Sequence, residues 1–144
     1  MEPEVQHWLD FAAKDLGVAN HLMECYHPIP LEHICFLSQQ ASEKTIKAVY
    51  LSLDIPSGLP HKHDLTFLLD QMKNRVDIPE DIYDHADSLN IYAINIRYPN
   101  EMQLNVYMAR KALQYANEIM EWGTGVIQKI HGASTETALE STDH

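Results

Sequence analysis

Hydrophobic residues recur at three- and four-residue steps along most of the chain, which is the spacing of amphipathic α-helices. This pattern predicts long helices over about residues 5–26, 31–53, 79–96 and 100–131, and a short helix that begins after Asp64. Proline-containing segments separate the helices, and no segment alternates as a β-strand does. The expected fold is therefore all-α, an up-and-down helical bundle of four long helices plus one short helix.

The second long helix sorts into two faces when it is wound at 100° per residue. Ser38, Ser42 and Thr45 occupy the middle of its apolar face, where small side chains let another helix approach closely, so we expect this helix to be central. Four polar residues gather on its other face: Gln40, Glu43, Lys44 and Lys47. That face is either a binding surface or a solvated face whose Glu43–Lys47 pair contributes a few tenths of a kcal/mol.

The last helix carries features at both of its ends. Asn100 with Gln103 resembles a capping box that opens it. Gly123 and Gly125 together cost about 2 kcal/mol of helix stability, so we expect a kink or fraying there. Residues 132–144 are rich in Ser, Thr and Glu without periodicity, which predicts a disordered tail after a bundle of residues 1–131.

Composition narrows the functional classes. The formal charge of −11, from 10 Lys and Arg against 21 Asp and Glu, makes binding to long nucleic acid unlikely, whereas a compact nucleotide is easier to accommodate. Cys25 and Cys35 are too few for a disulfide framework, so we expect reduced thiols and a cytoplasmic protein. No signal-peptide pattern or long apolar run is present, and we expect no membrane span.

Motifs for metal binding and catalysis are weak. Glu-x-x-His pairs occur at residues 4–7 and 24–27, but they stand about 30 Å apart on one helix and cannot share a metal. The His-Lys-His run at 61–63 lacks a nearby third ligand. Nucleophile-elbow and phosphate-loop motifs do not occur, so we expect no metal, no cofactor and no nucleophilic catalysis.

Four groups of residues, taken in order, resemble the HEPN domain (higher eukaryote and prokaryote nucleotide-binding). They are Trp8 with Asp15-Leu16, Gln39-Gln40-Ala41-x-Glu43-Lys44-x-x-Lys47-Ala48, His63-Asp64-Leu65-x-x-Leu68-Leu69, and Arg97-Tyr98-Pro99. The resemblance runs from about residue 5 to residue 130.

This resemblance implies a small helical bundle that usually forms a homodimer, with a polar cleft near the central helix and the helix that ends at Arg97. Members often act beside a separate minimal nucleotidyltransferase, as toxin–antitoxin pairs or as substrate-binding partners. Many others are metal-independent ribonucleases, whose signature is Arg, four to six residues, then His. No arginine here has a histidine at that spacing: Arg97 has none up to Leu104, Arg75 reaches His85 only after nine residues, and Arg110 has none in range. We therefore expect a non-ribonuclease branch without catalytic residues.

The leading hypothesis is a protein that binds a nucleotide or a small anion. Six residues would form its ligand site: Gln40, Lys44, Lys47, His63, Arg97 and Tyr98. Lys44, Lys47 and Arg97 would donate to phosphate. Gln40 would bind a base or sugar, and Tyr98 would stack on a ring.

Three alternatives remain open at the level of sequence. Asp64 is typical of a residue that caps the start of a helix, and His63 is its neighbour. Both residues would then have a structural role. A ribonuclease with a rearranged site would use His63 as its base. A homodimeric interaction module would bind no ligand at all.

Overall fold

The computed structural model describes the backbone of residues 2–95 and 103–142, and the side chains of residues 2–93 and 103–133. Five helices follow one another along the chain: α1 (Pro3–Cys25), α2 (Leu31–Ser52), α3 (Leu65–Asp70), α4 (Glu80–Asn95) and α5 (Val106–Thr142). No strand occurs in the described part of the chain. The predicted all-α fold, with four long helices and one short helix, is confirmed. None of the described helices has an apolar stretch long enough to cross a lipid bilayer.

Helix α2 is the central element, as its small-residue stripe predicts, because it packs against each of the other four helices. Ser38, Ser42 and Thr45 are fully buried, and each hydroxyl donates to the backbone carbonyl four residues earlier, at 2.8–2.9 Å. These internal hydrogen bonds satisfy the hydroxyl groups, so the stripe can lie in an apolar interior.

Helix α5 approaches α2 closely at Gly123. A Cβ atom at this position would lie 2.5 Å from Cγ2 of Thr45 and 3.2 Å from Cγ2 of Val49. Helix α5 continues through Gly123 and Gly125, so the predicted fraying is wrong. The helix is held there by its packing, and packing outweighs the poor helix propensity of glycine.

Helix α3 begins where its capping residue predicts. The Asp64 carboxylate accepts hydrogen bonds from the Thr66 hydroxyl at 2.7 Å and from the Phe67 backbone N–H at 3.1 Å. These two groups, in that order, lower the pKa of Asp64. Asn90 of α4 joins the cap, since its amide donates to Asp64 at 3.0 Å and its oxygen accepts from the Leu65 N–H at 2.8 Å. The start of α3 is thereby fixed to α4.

Helix α5 differs from its prediction at its start. It is capped by Asn105, whose side-chain oxygen accepts from the Met108 N–H at 2.8 Å, whereas the predicted cap Asn100 lies outside the described residues. The other bound of α5 is Thr142. The division of the chain into a bundle of residues 1–131 and a disordered tail of residues 132–144 stays a prediction. No proline follows Gly132 to stop the helix.

The two cysteines lie in different environments. Cys25 is exposed and Cys35 is buried, and both are free thiols. Burial raises the pKa of the Cys35 thiol to about 11, which keeps it protonated and unreactive near neutral pH.

Candidate functional site

The polar residues of α2 form a surface that we call the α2 polar face, composed of Gln40, Glu43, Lys44 and Lys47. Its ends are seven residues apart, about 10 Å along the helix axis. Glu43 and Lys47 are only 5% and 8% exposed, and Gln40 and Lys44 are half-buried. The alternative of a simple solvated face is therefore wrong, because α1 covers one side of these residues and the loop before α3 contacts the other.

Glu43 is the centre of this face. Its carboxylate accepts a hydrogen bond from Lys47 Nζ at 3.0 Å and one from Gln39 Nε2 at 3.3 Å. His63 Nδ1 lies 3.0 and 3.2 Å from its two oxygens. A buried carboxylate is stable only when opposite charge and donors surround it, and Glu43 has three such neighbours.

His63 is held by its backbone and by one ring nitrogen, while the rest of its imidazole faces solvent. Its side chain is 74% exposed, and its carbonyl oxygen accepts from Gln39 Nε2 at 3.3 Å. A carboxylate partner favours the proton on Nδ1, which leaves Nε2 unprotonated in the neutral ring. His63 thus precedes the residue that caps α3 and also contacts Glu43 of the α2 polar face. A structural role for His63 and a role in ligand binding are therefore compatible.

The two lysines of the polar face already have partners within the protein. Lys44 Nζ lies 2.6 Å from Oδ2 of Asp15 and 5.0 Å from the ring centroid of Phe11, both on α1. Lys47 Nζ, besides its contact with Glu43, lies 5.6 Å from the ring of Trp8. An anion that approached either ammonium group would have to compete with a carboxylate.

Gln40 reaches the same cluster through its neighbour. Its amide donates to Oε1 of Gln39 at 2.7 Å, and Gln39 is fully buried. The sequence reasoning assigned no site role to Gln39 or Asp15. The four-residue spacing of Gln39 and Glu43 could have indicated that these two side chains interact on the helix. In contrast, only the packing of α1 on α2 identifies Asp15 as the partner of Lys44.

Arg97 and Tyr98, the remaining predicted ligand residues, lie outside the described residues. Helices α2 and α4 are neighbours, as the predicted shared site requires. A shallow cavity of about 100 Å³ lies beside His63 and is lined also by Asp64, Asn90 and Ala93. The structure therefore joins Lys47 and His63 through Glu43, and it joins Gln40 to the same carboxylate through Gln39, whereas Lys44 contacts α1. Of these residues, His63 lines the cavity beside α4.

Metal ligands do not cluster in the described part of the chain, where no group of three or more His, Cys, Asp or Glu side chains has suitable geometry. The polar face and the adjoining His63 present amide, ammonium, carboxylate and imidazole groups.

Comparison with known proteins places this geometry in a family. The HEPN domain model matches residues 5–127. A crystal structure of TT1696 from Thermus thermophilus has a similar fold, with a TM-score of 0.72 and 24% identity over 90% of this chain and 99% of that one. The archaeal HEPN homologue ST0689 gives a TM-score of 0.69 and 26% identity over 88% of this chain and 99% of its own.

An HEPN domain protein from Thermotoga maritima is also similar, with a TM-score of 0.67 and 27% identity over 85% of this chain and 98% of that one. No curated protein matches the sequence. The family match covers most of the chain and agrees with the extent of the resemblance in the sequence. The chain belongs to the HEPN domain family.

Proposed function

We propose that this HEPN protein is a non-catalytic binding module for a nucleotide or a similar small anion. It acts with a separate minimal nucleotidyltransferase, in a toxin–antitoxin or substrate-binding role. The observation that carries the proposal is the hydrogen-bonded network around Glu43, which places polar and charged groups on one side of the central helix.

A network of this kind is costly for a protein that needs only stability. Withdrawing the charges of Glu43 and Lys47 from water carries a desolvation penalty that well-packed apolar side chains would avoid. The network is fully satisfied and therefore rigid, and it presents partly exposed donors at its edge. Those donors are the side chains of Gln40 and Lys44, which suit the oxygen atoms of a ligand, while the unprotonated Nε2 of His63 can accept a hydrogen bond from a ligand hydroxyl.

Lys44 is the polar-face lysine best placed to exchange partners. Its side chain is 21% exposed, against 9% for Lys47, so a ligand phosphate can reach its ammonium group from solvent. The competing carboxylate is Asp15, which is single and lies on a different helix. A polyphosphate carries more charge than one carboxylate and can therefore displace it.

Arg97 and Tyr98 complete the proposed site. Arg97 follows Asn95 by two residues in the sequence. Asn95 ends the described part of α4, the helix whose Asn90 and Ala93 line the cavity beside His63. In the proposed site Arg97 donates to phosphate and Tyr98 stacks on one face of the base, whose other face stays open.

The absence of a ribonuclease signature supports the non-catalytic assignment. None of the three arginines in the sequence is followed by a histidine after four to six residues. RNA cleavage without a metal needs a general base and a general acid at matched positions. The net charge of −11 also disfavours a long RNA substrate.

Calorimetric titration with ATP, GTP and their mono- and diphosphates tests this proposal. We expect binding that Lys44→Ala with Arg97→Ala weakens about a hundredfold or more, because the double variant loses two charge-assisted hydrogen bonds. Asp15→Asn should tighten binding several-fold, because it frees the Lys44 ammonium group. Lys111→Ala is the matched control, since its contacts with Tyr107 and Gln114 lie within α5.

Two results would contradict the proposal. Nucleotide affinity that is the same in the wild type and in the Lys44→Ala, Arg97→Ala double variant would remove the site. Failure of every nucleotide to bind, together with a stable homodimer in sedimentation, would identify the protein as an interaction module without a ligand.

The contact between His63 and Glu43 favours a second candidate, a ribonuclease with a rearranged site. Glu43 orients the imidazole and leaves Nε2 free to accept a proton, which is the arrangement of a carboxylate-supported general base. A gel assay on structured and single-stranded RNA tests it. Cleavage that His63→Ala abolishes and Glu43→Gln reduces would replace the binding proposal, whereas intact RNA would reject this candidate.

The proposed partners need their own measurement. Native mass spectrometry of the protein purified from its own host would show a homodimer, a copurifying nucleotidyltransferase and any bound nucleotide in one spectrum. A monomer without any second chain would contradict the partner part of the proposal.

A further inference from the structure

An exposed aromatic ring on α1 gathers positive charge. Phe11 is 43% exposed, and the ammonium groups of Lys14 and Lys44 lie 5.8 and 5.0 Å from its ring centroid. The imidazole of His7 stands edge-on to the same ring, with the two centroids 5.1 Å apart and the planes at 77°. In a chain with a net charge of −11, two ammonium groups at one exposed ring are unexpected.

The two lysines at this ring differ in whether a carboxylate is paired with them. Lys44 is paired with Asp15 at 2.6 Å. Lys14 is exposed and makes no ion pair within the described residues, so its charge is available to a ligand. An exposed ring beside an unpaired ammonium group is complementary to a molecule that combines a planar aromatic group with a phosphate.

This ring adjoins the α2 polar face. Lys44 belongs to that face and also contacts Phe11, and the ring of the neighbouring Trp8 lies 5.6 Å from Lys47. A single ligand can therefore contact α1 and the α2 polar face at the same time. The proposed function leaves open which part of a ligand the α1 side recognises.

We propose that Phe11 and Lys14 form the subsite that recognises the base and one phosphate of a nucleoside phosphate. The base stacks on the Phe11 ring, which tolerates any nucleobase because each has a π-face. The base displaces the ammonium group of Lys14 from the ring, and this ammonium group then pairs with the phosphate. This inference rests on the proposed nucleotide binding and assigns the class of ligand, a nucleotide rather than an inorganic anion.

The chain contains a matched control for this subsite. Tyr107 on α5 is 68% exposed, and the ammonium group of Lys111 lies 5.6 Å from its ring centroid. The geometry is therefore the same cation–π pair, but Lys111 has its hydrogen bond to Gln114 on the same helix. If a generic exposed ring and lysine were sufficient for binding, the two pairs would behave alike.

The experiment titrates the full chain with AMP, ribose 5-phosphate and pyrophosphate in a calorimeter. Phe11→Leu should weaken AMP binding by about tenfold, the loss of one stacked base. The same substitution should leave the affinities for ribose 5-phosphate and pyrophosphate unchanged. Lys14→Gln should weaken all three ligands, whereas Tyr107→Leu and Lys111→Gln should weaken none.

Each other outcome overturns a defined part of the reasoning. Equal AMP affinity in the wild type and Phe11→Leu overturns the subsite while the proposed nucleotide binding stands. Equal losses in Phe11→Leu and Tyr107→Leu also overturn it, since binding would then be nonspecific. A wild type that binds no AMP overturns the subsite and the nucleotide proposal together. Because Phe11 is exposed, circular dichroism should show an unchanged fold in Phe11→Leu.

Discussion

The contact between α5 and α2 at Gly123 predicts that adding one methyl group there destabilises the protein. In Gly123→Ala the new Cβ would lie 2.5 Å from Cγ2 of Thr45, about 1 Å inside the optimal carbon–carbon separation. Thr45 cannot easily turn away, because it is β-branched, fully buried and hydrogen-bonded to the Ala41 carbonyl at 2.9 Å. Overpacking of this kind costs about 3 kcal/mol at its upper range.

The cost is partly offset by helix propensity. Replacing glycine by alanine within a helix gains about 1 kcal/mol, so the net loss for Gly123→Ala is about 2 kcal/mol. For a chain of this length, that loss lowers Tm by roughly 4–8 °C. Gly125 lies on the same helix, and a methyl group added there would have nothing within 4 Å, so Gly125→Ala should instead raise Tm by about 2–4 °C.

Differential scanning calorimetry and urea titration should show that Gly123→Ala lowers the stability of the protein and that Gly125→Ala raises it. Thr45→Ser keeps the hydroxyl and removes Cγ2, so in the Gly123→Ala background it should recover part of the lost stability. Equal stability of Gly123→Ala and Gly125→Ala would refute the close packing of α5 on α2.

Three further predictions concern buried or capping groups. Glu43→Gln leaves the buried Lys47 ammonium group without its counter-charge and should lower the free energy of unfolding by about 3 kcal/mol, measured by urea titration. The double variant Glu43→Gln, Lys47→Met should recover most of this loss, because it also removes the buried charge. Asp64→Ala removes the cap of α3 and should cost about 1 kcal/mol, whereas Asp64→Asn should cost less. Because the pKa of Asp64 is lowered on folding, its contribution is complete above its ordinary pKa of 3.8 and is lost as the pH falls below that value, so the stability difference between wild type and Asp64→Ala should shrink in acid. Iodoacetamide at pH 8 should alkylate Cys25 but not Cys35 in the native protein, and both after denaturation; mass spectrometry that shows two labels on the native chain would contradict the burial of Cys35.

Local patterns were sufficient to predict the elements of the fold. The three- and four-residue spacing of apolar residues located all five helices, and Asp64 was identified as a cap because capping chemistry is local. The start of α5 was predicted less well, because the capping signal of Asn105 is not distinctive in the sequence. The family was evident from the order of short motifs, which the match over residues 5–127 confirms.

The candidate site shows the limit of local patterns. Sequence placed Gln40, Lys44 and Lys47 on one helical face, since a helix of known period determines which residues share a side. It did not show that Lys44 is paired with Asp15, because these two residues are far apart in the chain and meet only when α1 packs on α2. The roles of the six predicted ligand residues remain predictions for the titrations described above.

The sequence by itself determined the helices, the Asp64 cap of α3, the central position of α2 and the family, because each of these depends on side-chain periodicity or on motifs within a few residues. Only the tertiary structure decided that the polar face is half-covered by α1, that Glu43 is shared by Lys47 and His63, and that Gly123 is a packing residue rather than a break. The physical reason is that burial and charge pairing depend on which helices become neighbours, and that arrangement is a property of the whole bundle.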